Sequence, residues 1–169
     1  MEYTNLLEEV LEAWSGARMG VVEELSNIPA KDFDYRPTKD VRSVLELGIH
    51  ILEVAMMMTG ELTRPDTNFR RAPWPQLLKM YAAPAYRLKT KPEMLRLLRS
   101  QLKDGIALFR QAGELHMMQL IERFDGRPGT RLAWLNHAID QEMYHRGQLT
   151  TYARLLGREP ALTQRIRGG

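Results

Sequence analysis

From Asn5 the apolar residues Leu7, Leu11, Trp14, Val21, Leu25 and Ile28 recur at intervals of three, four and seven. That spacing gathers side chains along one stripe of an α-helix. It predicts a first helix ending near Asn27-Ile28-Pro29. The next segment, AKDFDYRPTKDVR, is rich in charge and holds Pro37. Ser43 with Glu46 three residues on makes a capping box that opens a second helix, Val44 to about Thr59. This helix is apolar nearly all round, including Ala55-Met56-Met57-Met58, so it belongs either at the centre of the fold or against another subunit. The methionine run reads as packing, with a ligand surface as the alternative.

Pro65, Pro73, Pro75 and Pro84 interrupt residues 60–90 and predict a long ordered crossover with one helical turn around Gln76 to Tyr81. A third helix starts at Thr90-Lys91-Pro92-Glu93 and continues through Leu95, Leu98, Leu102, Ile106, Phe109 and Ala112 to Gly113. After the shorter piece ELHMMQLIERF and the turn DGRPG, Thr130 caps a fourth helix. It runs to Leu156, stops at Gly157, and turns Leu132, Leu135, Ile139, Met143, Leu149 and Leu156 inward. With no alternating strand pattern and no internal repeat, the fold class is all-α: a four-helix bundle with a long crossover loop between helices two and three. One domain is expected over residues 1–157, followed by a frayed basic tail over residues 158–169.

The chain has 169 residues, 44% hydrophobic and 27% charged, the balance of one globular domain. Its net charge of +3 is scattered among acidic residues, which argues against a nucleic-acid partner. The apolar stretch Leu45 to Gly60 is broken by Glu46, His50 and Glu53 and is shorter than the roughly 20 residues that span a bilayer; no membrane role is expected. The N-terminal MEYTNLLEEV lacks a signal pattern, so a cytoplasmic location is expected. With no cysteine, a Cys-ligated metal site and a Cys nucleophile are excluded, and any thiol chemistry needs an external thiol.

Serine occurs only at 15, 26, 43 and 100, outside any Gly-x-Ser-x-Gly setting, and the phosphate- and dinucleotide-binding glycine patterns are absent. The four histidines are His50, His116, His137 and His145. His50 and His145 project from different helices. They are either a pair of metal-ligating imidazoles or buried hydrogen-bonding residues that tie the helices together. Gln141 and Glu142 lie four and three residues before His145, within reach of the same face. His137 is about 12 Å from His145 along the axis and reads as packing. His116 reads as a surface residue. Gly147, mid-helix, suggests close approach of a backbone or ligand, and Arg146 either meets an anionic substrate or forms a salt bridge. Helix two lacks a Glu-x-x-His to match Glu142-x-x-His145, so a ferritin-like dimetal centre is not expected.

The stretches FDYRPTKDVRSVLELGIHI and TRLAWLNHAIDQEMYHRGQLTTYARLLG closely resemble the DinB superfamily of DinB/YfiT-like metalloenzymes in motif and order. The resemblance implies a homodimeric four-helix bundle. It also implies a divalent metal held by three histidines, one on helix two and two on helix four in the pattern His-x-x-x-His-Arg-Gly-Gln. On this chain those positions are His50, Gln141 and His145, with glutamine in the middle place. Three arrangements follow: a weakened His50, Gln141, His145 site, a site completed by Glu142, or a metal-free relative. Glu142 serves either as that completing ligand or as a partner that orients an imidazole. The implied cofactors are a divalent ion, Ni or Zn, and an external low-molecular-weight thiol such as bacillithiol or mycothiol. The function expected is a metal-dependent thiol transferase or hydrolase-like enzyme acting on a small molecule. The alternative is a metal-free binding or dimerisation module.

Overall fold

The computed structural model describes residues 4–168. Four long helices build the bundle: α1 (Leu6–Asn27), α2 (Val44–Leu62), α4 (Lys91–Ala112) and α6 (Arg131–Leu155). Their starts follow the capping chemistry. Asn5 caps α1, the Ser43/Glu46 and Thr90/Glu93 pairs form reciprocal capping boxes on α2 and α4, and Thr130 caps α6. Gly113 and Gly157 take positive φ where α4 and α6 end, the backbone that glycine adopts without a Cβ penalty.

α1 and α2 each pack against both α4 and α6 but scarcely on one another. The order around the bundle is therefore α1, α4, α2, α6, and the diagonal step from α1 to α2 needs the long 28–43 connection. The apolar surface of α2 is covered within the chain by α3 (Trp74–Tyr81), α4 and α6.

The crossover between α2 and α4 is long, as the prolines require, and contains α3 over a wider span than the expected single turn. Pro75 sits in the first turn, where its missing N–H costs no hydrogen bond, so it starts α3. The piece after α4 forms the short α5 (Glu114–Met117) and a two-stranded antiparallel hairpin of β1 (Leu120–Glu122) and β2 (Pro128–Thr130). Strands of three residues are too short to show alternation, so the sequence gives no sign of them. The hairpin is docked by aromatic rings: Phe69 and Trp74 each lie 4.7 Å from Phe124, and Trp134 is beside them. His116 is half-buried, not a free surface residue, and with Arg131 it meets the last carbonyl of α2, Leu62 O, at 3.0 and 3.1 Å. Residues Ala161–Gly168 form a helix, α7, where a frayed tail was expected. The fully buried carboxylate of Glu24 on α1 accepts the first amides of α7, Ala161 N and Leu162 N.

Two apolar clusters stack along the bundle. One gathers Leu7 to Ala17, Val54 to Leu62 and Leu132 to Ile139; the other gathers Val21 to Ile28, Val44 to Leu52 and Leu149 to Ala153. Between them lies a polar layer. Arg18, in line with Trp14 and Val21 on the inward stripe of α1, pairs with Glu142 through Nε (2.8 Å) and Nη2 (2.6 Å). Its Nη1 donates to Leu98 O and Gln101 Oε1, and Trp14 Nε1 also donates to Glu142. All these groups are buried, and the ion pair is tolerable because each charge is met by several hydrogen bonds. The layer corrects one residue of the expected inward stripe of α6. Glu142 and His145 point inward with Leu132, Leu135, Ile139 and Leu149, and Met143, expected inward, is 47% exposed.

Arg18→Met leaves Glu142 buried without its counter-charge and should lower unfolding free energy by about 3–5 kcal/mol. The double variant Arg18→Met/Glu142→Leu should lose much less. Urea unfolding of both measures the difference, and equal losses would contradict the role given to the pair.

Candidate functional site

α2 and α6 bring His50 and His145 together, with ring centroids 4.8 Å apart and planes at 83°. Each ring is held by a neighbour three residues further along its own helix. His50 Nδ1 is 2.5 Å from Glu53 Oε1, and His145 Nδ1 is 2.7 Å from Gln148 Oε1. A carboxylate and an amide oxygen are acceptors, so the arrangement favours a proton on each Nδ1, the tautomer that keeps a lone pair on Nε2. His145 Nε2 is buried and has no hydrogen-bond partner among the described residues.

Glu53 is fixed from a second side by the crossover: Tyr86 Oη donates to Glu53 Oε2 at 2.6 Å. Burial pushes the Glu53 carboxyl up, but the hydrogen bonds from His50 and Tyr86 outweigh it and hold the group below its ordinary value. Burial, then the Glu53 carboxylate, pushes the Tyr86 phenol up. Burial is also the main reason the His145 imidazole is pushed below 6.5, with repulsion from His50 and Arg42 adding to it against the Gln148 hydrogen bond.

The remaining residues singled out in the sequence take several places. Gln141 is half-buried one turn before His145, and its side chain makes no hydrogen bond among the described residues. Glu142 is committed to Arg18 and Trp14, so it neither completes a ligand set nor orients an imidazole; Glu53 and Gln148 do the orienting. His137 is exposed and stacks on Trp134 at 4.7 Å and 18°, as packing. Arg146 makes no salt bridge among the described residues. Its guanidinium lies against Gly20 of α1, where a Cβ would come within 2.3 Å of it. Gly147 has nothing within 4 Å of its Cβ position, so no backbone approaches it.

His50 opens onto a cleft of about 680 Å³ between the α1–α2 connection, α2 and α6, and of the three expected ligands it alone lines that cleft. Glu53, Gln148 and Tyr152 share the wall, and Arg36, Lys39 and Arg42 stand along it in the connection. The volume suits a small molecule. Two adjacent imidazoles from different helices are donors of the type that suits a borderline divalent ion. A third anionic or imidazole donor is missing: among the described residues no three His, Cys, Asp or Glu side chains gather at metal-binding spacing.

These features define a DinB/YfiT-like helical bundle with a paired-histidine centre. The model of the DinB family matches residues 1–167, and the chain belongs to that family. Its fold is similar to that of YjoA, a DinB-like protein of Bacillus subtilis (TM-score 0.66, 22% identity, 89% of this chain and 92% of that one). It is also similar to Bacillus subtilis YfiT, described as a probable metal-dependent hydrolase with an unusual four-helix bundle topology (TM-score 0.66, 14% identity, 94% and 93%). A mycothiol-dependent maleylpyruvate isomerase has the same fold over 86% of this chain and 61% of its own length (TM-score 0.68, 15% identity). No curated protein matches the chain by sequence. Among the described residues no helix is long and apolar enough to cross a membrane.

His145 predicts a pH dependence of stability in the metal-free protein. Its folded-state value lies below 6.5, so as pH falls the unfolded chain takes up the proton first and the folded state loses stability. The stability difference between wild type and His145→Gln should be flat above about pH 7.5. It should then shift against the wild type as pH falls through 6.5, the whole loss being present below the folded value. A difference independent of pH between 8 and 5 on the order of experimental error would contradict it.

Proposed function

We propose that this DinB-family protein is a metal-dependent enzyme that uses an external low-molecular-weight thiol on a small-molecule substrate, as a thiol transferase or hydrolase-like catalyst. The metal, Ni or Zn, is held by His50 and His145 with Gln141 as the neutral third donor. The observation that carries this reading is the buried, unpartnered Nε2 of His145 beside the ring of His50. An unpaired buried nitrogen costs about 1–3 kcal/mol, a cost that ligation removes.

The chain's own residues prepare the centre. Glu53 and Gln148 hold the Nδ1 protons and aim the rings, Tyr86 fixes Glu53, and the open cleft at His50 admits the reactants. A bound divalent ion would supply acidification of a thiol or water at neutral pH. The absence of cysteine means that the thiol comes from outside. Because an amide oxygen is a weaker donor than imidazole, the affinity is below that of a three-histidine site. The fold shared with a mycothiol-dependent isomerase and with YfiT supports metal- or thiol-linked chemistry as the class.

A second reading, a metal-free binding module, draws on one observation: no three-residue His, Cys, Asp or Glu cluster occurs among the described residues. A homodimer is proposed with either reading. The exposed Met143 and Tyr144 of α6 are available for such a contact.

Elemental analysis of untagged protein equilibrated with Ni or Zn distinguishes the readings. The account expects close to one equivalent in the wild type, none in His145→Ala, and retention by Gln141→His through a chelator wash that strips the wild type. Metal in Gln141→His with none in the wild type would establish the metal-free reading.

A further inference from the structure

The connection between α1 and α2 carries three basic residues to the cleft, and they are not equivalent. Arg36 is already paired, with Glu46 at 3.1 Å, and its Nη1 meets Val41 O. Lys39 and Arg42 have no ion-pair or hydrogen-bond partner for their side chains among the described residues, although both line the cleft. Asp40, also on the wall, likewise has none.

The side chain of Arg42 is exposed, but its backbone is held in place. Its carbonyl accepts the Tyr152 hydroxyl at 3.0 Å, and the next residue, Ser43, is locked into the capping box of α2 by Glu46. The amides at the start of α2 are all taken: Ser43 N by Glu46, Val44 N by Tyr35 O, Leu45 N by Phe33 O and Glu46 N by Ser43 Oγ. An anion entering here therefore finds no free helix-end amide and must be met by side chains. Arg42 also shares the cleft with His50 and Glu53.

We propose that the small molecule bound in this cleft carries an oxyanion, a carboxylate or a phosphate ester, that docks on Arg42 with Lys39 beside it. The inference rests on the cleft being the working site of the proposed enzyme and names the class of its substrate. A guanidinium on a fixed backbone presents a planar fork of donors to such a group. It leaves the other end of the ligand directed along the wall toward His50 and Glu53. Asp40, on the same wall, opposes the anion, so the site binds weakly on its own.

The test uses full-length, chelator-treated protein, so that it reads independently of metal content. Imidazole and arginine side-chain NMR signals are followed while sodium succinate, inorganic phosphate or neutral succinamide is added. Succinate or phosphate should saturate shifts at Arg42 and His50, and succinamide should not. Arg42→Met should weaken binding about tenfold, Lys39→Met should weaken it less, and Asp40→Asn should strengthen it. Tighter binding of phosphate than of succinate would identify phosphate esters, and the reverse order carboxylates, each within the proposal. Equal responses to succinate and succinamide, or unchanged affinity in a folded Arg42→Met variant, would overturn it. Elemental analysis of the same preparations before chelation shows separately whether the metal centre stands.

Discussion

The ion pair of Arg18 with Glu142 ties α6, one of the two helices that carry the centre, to α1 and α4. Leu132, Leu135, Ile139 and Leu149 set the inward stripe of α6, and Glu142 falls on it. The guanidinium meets this carboxylate in the interior, where Trp14 and the hydrogen bonds from Arg18 satisfy it. His145, three residues on, lies about 60° away around the helix and is carried inward with it, against α2 and His50. Met143 is left in solvent. A buried ion pair adds little stability compared with an apolar replacement. Its value here is positional: it holds the turn of α6 before His145 against α1 and α4.

The centre repeats one local device on two helices. Glu53 follows His50 by three residues and Gln148 follows His145 by three, so each acceptor stands one turn along and takes the Nδ1 proton of its histidine. Long crossovers inside a compact fold usually have a duty. Part of this one's duty is to bring Tyr86 from between α3 and α4 to Glu53. The cleft then joins the imidazole centre at His50 to a connection that carries unpaired basic side chains.

The bundle was legible because its signals are local. Asn5, Ser43 with Glu46, Thr90 with Glu93, Thr130 and Gly157 mark the ends of helices whose apolar stripes are long and regular. The hairpin was not, since three residues per strand carry no period, and α7 was not, since Glu24, more than a hundred residues earlier, supplies its cap. In the centre, His50 and His145 stood out as polar residues in helices otherwise directed at a core. Arg18 gave no such notice, because an arginine on an inward stripe reads as an interruption until its partner is known. Glu53 and Gln148 could have been found from their matching three-residue spacing to the histidines. Tyr86 could not, since only the path of the crossover brings it to α2.

The central claim is that Glu53 and Gln148 fix both imidazoles as Nδ1–H tautomers with free Nε2 lone pairs. Long-range proton–nitrogen spectra of the imidazoles in metal-free protein near pH 8 test it directly. The account predicts, for His50 and His145 alike, a protonated Nδ1 signal and an unprotonated Nε2 signal. A protonated Nε2 on His145, with Gln148 donating its amide to Nδ1, would contradict it and remove the donor on which metal binding depends.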